Sequence, residues 1–207
     1  LLAAVEIVNT DTSQPADFDA LPALEPDILL TAWSTPSLKP LLAQPACSLK
    51  YICHLMGSVR NIVPRTFIEQ GGQVTNWGTI AATAVAEHAL LLTLAALRNL
   101  PAWAPTITGP RQSPAARARA LATRTLAGRR VGIHGFGSVA QALVRLLRPF
   151  DVVIRGFSAG VPPELLQAHG VEPCSSLAEL FSQSEVLYEC EALTPDTRGS
   201  ISARELS

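Results

Sequence analysis

Residues 131–140 read Val-Gly-Ile-His-Gly-Phe-Gly-Ser-Val-Ala, and no other stretch restricts the fold as tightly. The residues leading in, RRVGIH, form an apolar run of strand length. Those leading out, SVAQALVRLLRPF, repeat apolar positions at the helical period. Gly135 permits a turn too tight for a side chain, and Gly137 lets the backbone approach a neighbour closely. Ala140 stands where a third glycine is common and is small enough for helix and strand to pack. At the helix start the amides of Ser138 and Val139 lack intrahelical acceptors, which makes the turn a place for anions. Within a βαβ unit such a loop predicts a dinucleotide pyrophosphate on Gly135, Gly137, Ser138 and Val139.

The flanking sequence supplies that context. After the glycine loop come DVVIRGF as a strand, PPELLQAHG as a helix, VEPC as a strand, SLAELFSQS as a helix and EVLYEC as a strand. Strands alternating with helices of this length make an open, doubly wound parallel sheet. The first 80 residues repeat the rhythm on a smaller scale. AAVEIV, DILLTAW, LKYICHL and QVTNW read as strands, with PSLKPLLAQ and PRTFIEQGG as helices. Between the halves, AATAVAEHALLLTLAALRNLP is a long helix apolar on nearly every face, the pattern of a helix buried between domains or subunits. PAWAPTITGPRQSP then reads as a proline-rich connector. We expect an α/β protein with a substrate domain over residues 1–97, an inter-domain helix over 81–100, and a nucleotide domain over 98–207.

Composition narrows the classes. With 48% hydrophobic and 16% charged residues the chain forms a core, and a net charge of −1 gives no general attraction to nucleic acid or membrane. Nine arginines and no acid fall between Glu87 and Asp151, which reads as a solvated basic surface, the alternatives being attraction of cofactor phosphates or of an anionic substrate. The four cysteines (47, 53, 174 and 190) lack metal spacing and read as reduced packing residues of a cytoplasmic protein. The apolar run 81–97 carries Glu87 and His88 and is short for a membrane span.

The choice of dinucleotide turns on one position. An acid about 20 residues beyond the glycines holds the ribose hydroxyls in NAD sites. Here the second strand ends IRGFSAG and Ser158 stands at that place. A serine tolerates or binds a 2′-phosphate, so NADP is favoured slightly over NAD, although no arginine follows and Arg155 is one strand period away.

Several segments together resemble the D-isomer-specific 2-hydroxyacid dehydrogenases. They are LKYI-x4-GSVRNIV, QVTN, VAEHALLLTLAALR, TLAGRRVGIHGFGSVAQAL and ALTPDTRGSI, matching in order over about residues 28–207. The resemblance implies a Rossmann-type domain inserted in a flavodoxin-like substrate domain, a homodimer, and hydride transfer between NAD(P)H and a 2-oxo or 2-hydroxy acid. It implies that the amides of Met56, Gly57 and Ser58 meet the substrate carboxylate. Asn76 would lie at the cleft, with Leu193 and Thr194 approaching the nicotinamide. Met56, Ser58 and Arg60 depart from the glycines and aspartate usual in that loop, and Ala192 replaces a usual proline. Arg60 is expected at the surface or paired with Glu69, the alternative being that it reaches a second carboxylate or phosphate on the substrate. The catalytic arginine, acid and histidine of the family are expected beyond Ser207, so this chain is expected to lack them and both domains to be incomplete. His134 is expected to be a packed core residue, and no metal site is expected. A non-catalytic dinucleotide sensor or scaffold of the same fold is the alternative.

Overall fold

The computed structural model describes residues 21–45, 47–110, 113–120 and 122–206. The expected strand AAVEIV lies outside them. The chain divides into two compact units, Leu1–Ala81 and Ala82–Ser207.

The first unit is a three-stranded parallel sheet in the order β1 (Ile28–Thr31), β2 (Tyr51–His54), β3 (Gln73–Thr75). The helices between them are single turns, α1 (Lys39–Leu42) and α2 (Arg65–Glu69). Leu38, Leu41, Leu49, Ile52, Val63 and Phe67 close its core. A fully buried aliphatic side chain contributes roughly 1.5–3 kcal/mol, so this small core rests on few residues. The strands are shorter than the apolar runs suggest. β3 stops at Thr75, because Asn76 and Trp77 turn back onto the loop after β2, where the Trp77 amide donates to the Met56 carbonyl at 3.0 Å.

The second unit begins with helix α3 (Ala82–Leu97). The sheet follows in spatial order β6 (Glu172–Pro173), β5 (Val153–Phe157), β4 (Arg130–His134), β7 (Val186–Glu189), all parallel. The chain leaves β4 to one side for β5 and β6 and returns on the other for β7. That reversal opens a crevice at the carboxyl ends of β4 and β7, where open α/β sheets bind ligands. Connecting helices α6 (Ser138–Leu147), α7 (Pro163–Ala168) and α8 (Leu177–Gln183) cover the sheet. The core comprises Val131, Ile133, Phe136, Leu143, Val144, Leu147, Ile154, Leu166 and Val171 with their neighbours. β6 is only two residues long and includes Pro173, which an edge strand tolerates because its missing N–H takes nothing from the ladder.

Two features differ from the sequence reading. Helix α3 groups with the nucleotide unit rather than with residues 1–97, because Ala86 and Ala89 let its backbone pack against that core. Among the described residues it is covered on one side only: Leu91 is 57% exposed and Leu92 56%. The proline-rich connector is largely helical, as α4 (Leu100–Thr108) and α5 (Pro114–Ala120). Asn99, in the left-handed region at φ +51°, breaks α3 from α4. Pro101 falls in the first turn of α4, where its missing N–H has no partner to lose. Pro105 is inside the helix, and the adjacent Thr106 hydroxyl donates to the Ala102 carbonyl at 2.6 Å. A last short helix, α9, spans Ala203–Leu206. No helix among the described residues is long and apolar enough to cross a membrane.

Candidate functional site: the glycine loop and the ends of β4, β5 and β7

Gly135 follows β4 directly and adopts φ +81°, a conformation L side chains rarely accept. Space forbids a side chain as well, since a Cβ there would lie 2.5 Å from the Glu191 backbone nitrogen and Cα. Its amide donates to the Phe157 carbonyl at 2.8 Å, which ties the loop to the end of β5. Phe136 plunges into the core. Gly137 then caps α6 in an extended conformation, with no side-chain hydrogen bond to the first turn. Nothing lies within 4 Å of where its Cβ would be. The uncapped amides of Ser138 and Val139 therefore border open space at a positive helix end. Ala140 is wholly buried, which is the close helix–strand contact expected of it.

The end of β7 meets the same loop. Glu191 supplies the backbone against which Gly135 packs. Its carboxylate accepts from Ser158 Oγ at 3.4 Å and from the Ala192 amide at 2.9 Å. Glu189 Oε1 accepts from the Glu191 amide at 2.9 Å, and Glu189 Oε2 lies 2.7 Å from His134 Nδ1. The His134 ring is buried and stacks on Phe157, 6.1 Å between centroids. His134 is thus a core residue that anchors the outer carboxylates. Glu189 also adds its charge to the burial of the Cys190 thiol, which pushes that pKa up to about 11, burial being the larger cause. Such a thiol is a packing group and a poor nucleophile.

Glu189 and Glu191, which the sequence reading did not name, stand at the same turn as the glycines and Ser158. The available signal was the alternation Glu189-Cys190-Glu191, two acids at the pleat period where an apolar strand end is usual. Ser158 follows β5 as expected, yet its hydroxyl is turned to Glu191. Arg155 is paired with Glu172 at 2.9 Å, so its guanidinium is engaged on the edge strand β6. Beyond Glu191, the Thr197 hydroxyl binds the Ala192 carbonyl at 2.6 Å and receives the Thr194 amide at 2.8 Å. This turn leaves Leu193 78% exposed.

In the first unit, Met56-Gly57-Ser58 continues from β2, whose last residue His54 is buried with Nδ1 2.9 Å from Thr31 Oγ1. Burial lowers the His54 pKa, which favours the neutral ring. Asn76 and the loop come together. The Asn76 amide nitrogen donates to the Gly57 carbonyl, and its oxygen accepts from the Gly78 amide at 3.0 Å. Both ends of Asn76 therefore shape the loop. Gly57 has nothing within 4 Å of its Cβ position, so that face of the loop is open. Arg60 is exposed, and the partner expected for it, Glu69, pairs with Arg65 at 3.0 Å instead. Among the described residues no group of three histidines, cysteines or acids is placed to hold a metal ion.

A strand–glycine turn–helix unit at the reversal of a parallel sheet, with an uncapped helix start over open space, defines a dinucleotide-binding protein. Residues 90–207 match the family described as D-isomer specific 2-hydroxyacid dehydrogenase, NAD binding domain, and the chain belongs to that family. The D-3-phosphoglycerate dehydrogenase of Methanocaldococcus jannaschii is 27% identical over 187 residues, 87% of this chain and 34% of that protein. The chain thus spans about a third of that relative. Among solved structures, a Granulicella formate dehydrogenase superposes with a TM-score of 0.73 at 24% identity, covering 87% of this chain and 48% of the other. A phosphoglycerate oxidoreductase of Vibrio cholerae gives 0.65 at 25% identity, covering 91% and 59%. The fold is that of the 2-hydroxyacid dehydrogenases.

Proposed function

We propose that the protein carrying this chain is an NAD(P)-dependent oxidoreductase that interconverts a 2-oxo acid and a D-2-hydroxy acid in the cytoplasm. The observation that carries this is the open cradle at Gly137, in a segment that matches the family's nucleotide domain. The residues fit the cofactor: Gly135 gives the turn, Gly137 gives the space, and the Ser138 and Val139 amides give donors for a pyrophosphate. When bound, the nicotinamide supplies or accepts the hydride. Leu193 and Thr194 would border its ring, and the Thr194–Thr197 turn would hold them in place. The first unit takes the role of substrate domain. The amides of Met56, Gly57 and Ser58 would bind the substrate carboxylate, with Asn76 fixing the loop's shape. Arginine, histidine and an acid of the complete protein would polarise the carbonyl and move the proton. The exposed apolar side of α3 would pair with a second copy to form a homodimer.

Ser158 on its own leans toward NADP. The carboxylate of Glu191 beside it weakens that lean, because a 2′-phosphate would meet its charge. A second reading, a dinucleotide sensor or scaffold without turnover, draws on Met56 and Ser58, which change the substrate loop. One assay decides between them. The complete protein is given NADH or NADPH with glyoxylate, hydroxypyruvate and other 2-oxo acids, and the loss of absorbance of the reduced nicotinamide is followed. Turnover with at least one pair is expected. Tight dinucleotide binding with no turnover on any acid would favour the sensor.

A further inference from the structure

The end of β5 carries Ser158 where an NAD site of this fold usually carries an acid, yet a carboxylate reaches that place from another strand. Glu191, two residues beyond the last residue of β7, accepts the Ser158 hydroxyl at 3.4 Å. Its backbone is packed so closely on the glycine loop that Gly135 has no room for a Cβ. Its amide is held by Glu189, and Glu189 in turn by the buried His134. The backbone of Glu191 is thus fixed against the glycine turn, and its carboxylate takes the Ser158 hydroxyl at 3.4 Å and the Ala192 amide at 2.9 Å. The cation that β5 itself provides, Arg155, is committed to Glu172.

We propose that Glu191 is the specificity-determining acid of this site, replacing the missing β5 carboxylate, so that the chain takes NAD(H) and rejects NADP(H). The inference rests on the dinucleotide reading of the glycine loop and deepens it. A carboxylate accepts hydrogen bonds from the paired hydroxyls of a ribose. A 2′-phosphate offers no such donor and brings about two negative charges, which a carboxylate repels. The signal is invisible in the usual position because the acid comes from β7, across β4 from β5.

The test is calorimetric titration of the chain with NADH and with NADPH, with circular dichroism confirming that each variant is folded. The wild-type chain is expected to bind NADH at least tenfold more tightly. Glu191→Gln preserves the shape and the acceptor of the side chain but removes its charge, and the preference should shrink to within about threefold as NADPH binding improves. Glu185→Gln removes the same charge at the opposite end of β7 and should leave the ratio unchanged. A wild-type chain that favours NADPH or does not discriminate overturns the proposal. So does a ratio that Glu191→Gln leaves in place while NADH still binds, in which case the dinucleotide reading stands and only the role of Glu191 falls. Failure of both dinucleotides to bind would overturn the two together.

Discussion

Gly135 and Gly137 sit two residues apart and have opposite sensitivities. At Gly135 a methyl group would meet both an unfavourable φ and the backbone of Glu191. Gly135→Ala should therefore cost at least about 2 kcal/mol of stability, read from denaturant unfolding, with dinucleotide binding lost as the turn distorts. A second residue-scale prediction concerns Glu185 at the base of β7. The Arg130 backbone amide hydrogen-bonded to its carboxylate, helped by the charges of Arg130 and Arg129, holds its pKa below the ordinary 4.5. A depressed carboxylate contributes stability above that ordinary value and loses it as pH falls through the folded value. Melting temperature should thus drop on acidification below about pH 4.5, and Glu185→Gln should flatten that part of the curve while lowering stability at neutral pH. An equal acid slope in the variant would assign the loss to other carboxylates. The glycines were legible in the sequence because their spacing is set by covalent geometry. Glu191 was not, because its neighbour Ser158 is 33 residues earlier and only the sheet brings them together.

At the scale of elements, apolar periodicity located every described strand, and the ends were decided by tertiary contacts. The strand QVTNW lost Asn76 and Trp77 to the loop after β2, where their polar groups find partners that a strand edge would not give. The helices α4 and α5 were hidden by proline, since Pro101 and Pro114 mark a connector and a helix start equally well. Helix α8 shows the clearer case: Ser176 caps it by accepting the Glu179 amide at 3.1 Å, while the Glu179 carboxylate takes the Ser175 amide at 2.7 Å. Ser176→Ala should cost about 1 kcal/mol, measured as a fall in the unfolding midpoint without a change of slope. Helix α3 was read as buried between domains or subunits because its sequence is apolar all round, and the described residues of this chain cover the side that carries Ala86, Ala89, Leu90, Leu94 and Leu97. If a second copy covers the rest, Leu92→Lys should convert a dimer to a monomer by light scattering with size exclusion. A wild-type chain that is monomeric at micromolar concentration would remove that role from α3.

For the whole molecule, the order β6-β5-β4-β7 puts the ends of three strands around one loop, and the candidate site is a consequence of that topology. The family segments, the glycine loop and the VAEH helix were readable in sequence because each carries its own local pattern. The assignment of α3 to the second unit was not, since it depends on which core the helix's alanines reach. The central claim is that the loop at β4 and α6 holds a dinucleotide pyrophosphate, and Gly137 isolates it. Its Cβ position is empty and its φ of −85° suits any residue, so the protein alone tolerates a side chain there. The direct measurement is the melting temperature of wild-type and Gly137→Val chains with and without NADH. Without ligand the two should differ by no more than about 3 °C, the shift that 1 kcal/mol produces in a chain of this length. Saturating NADH should raise the wild-type value, in line with about 2.7 kcal/mol at a hundredfold excess over Kd, and leave Gly137→Val unmoved. An equal rise in both chains, or none in the wild type, would contradict the account.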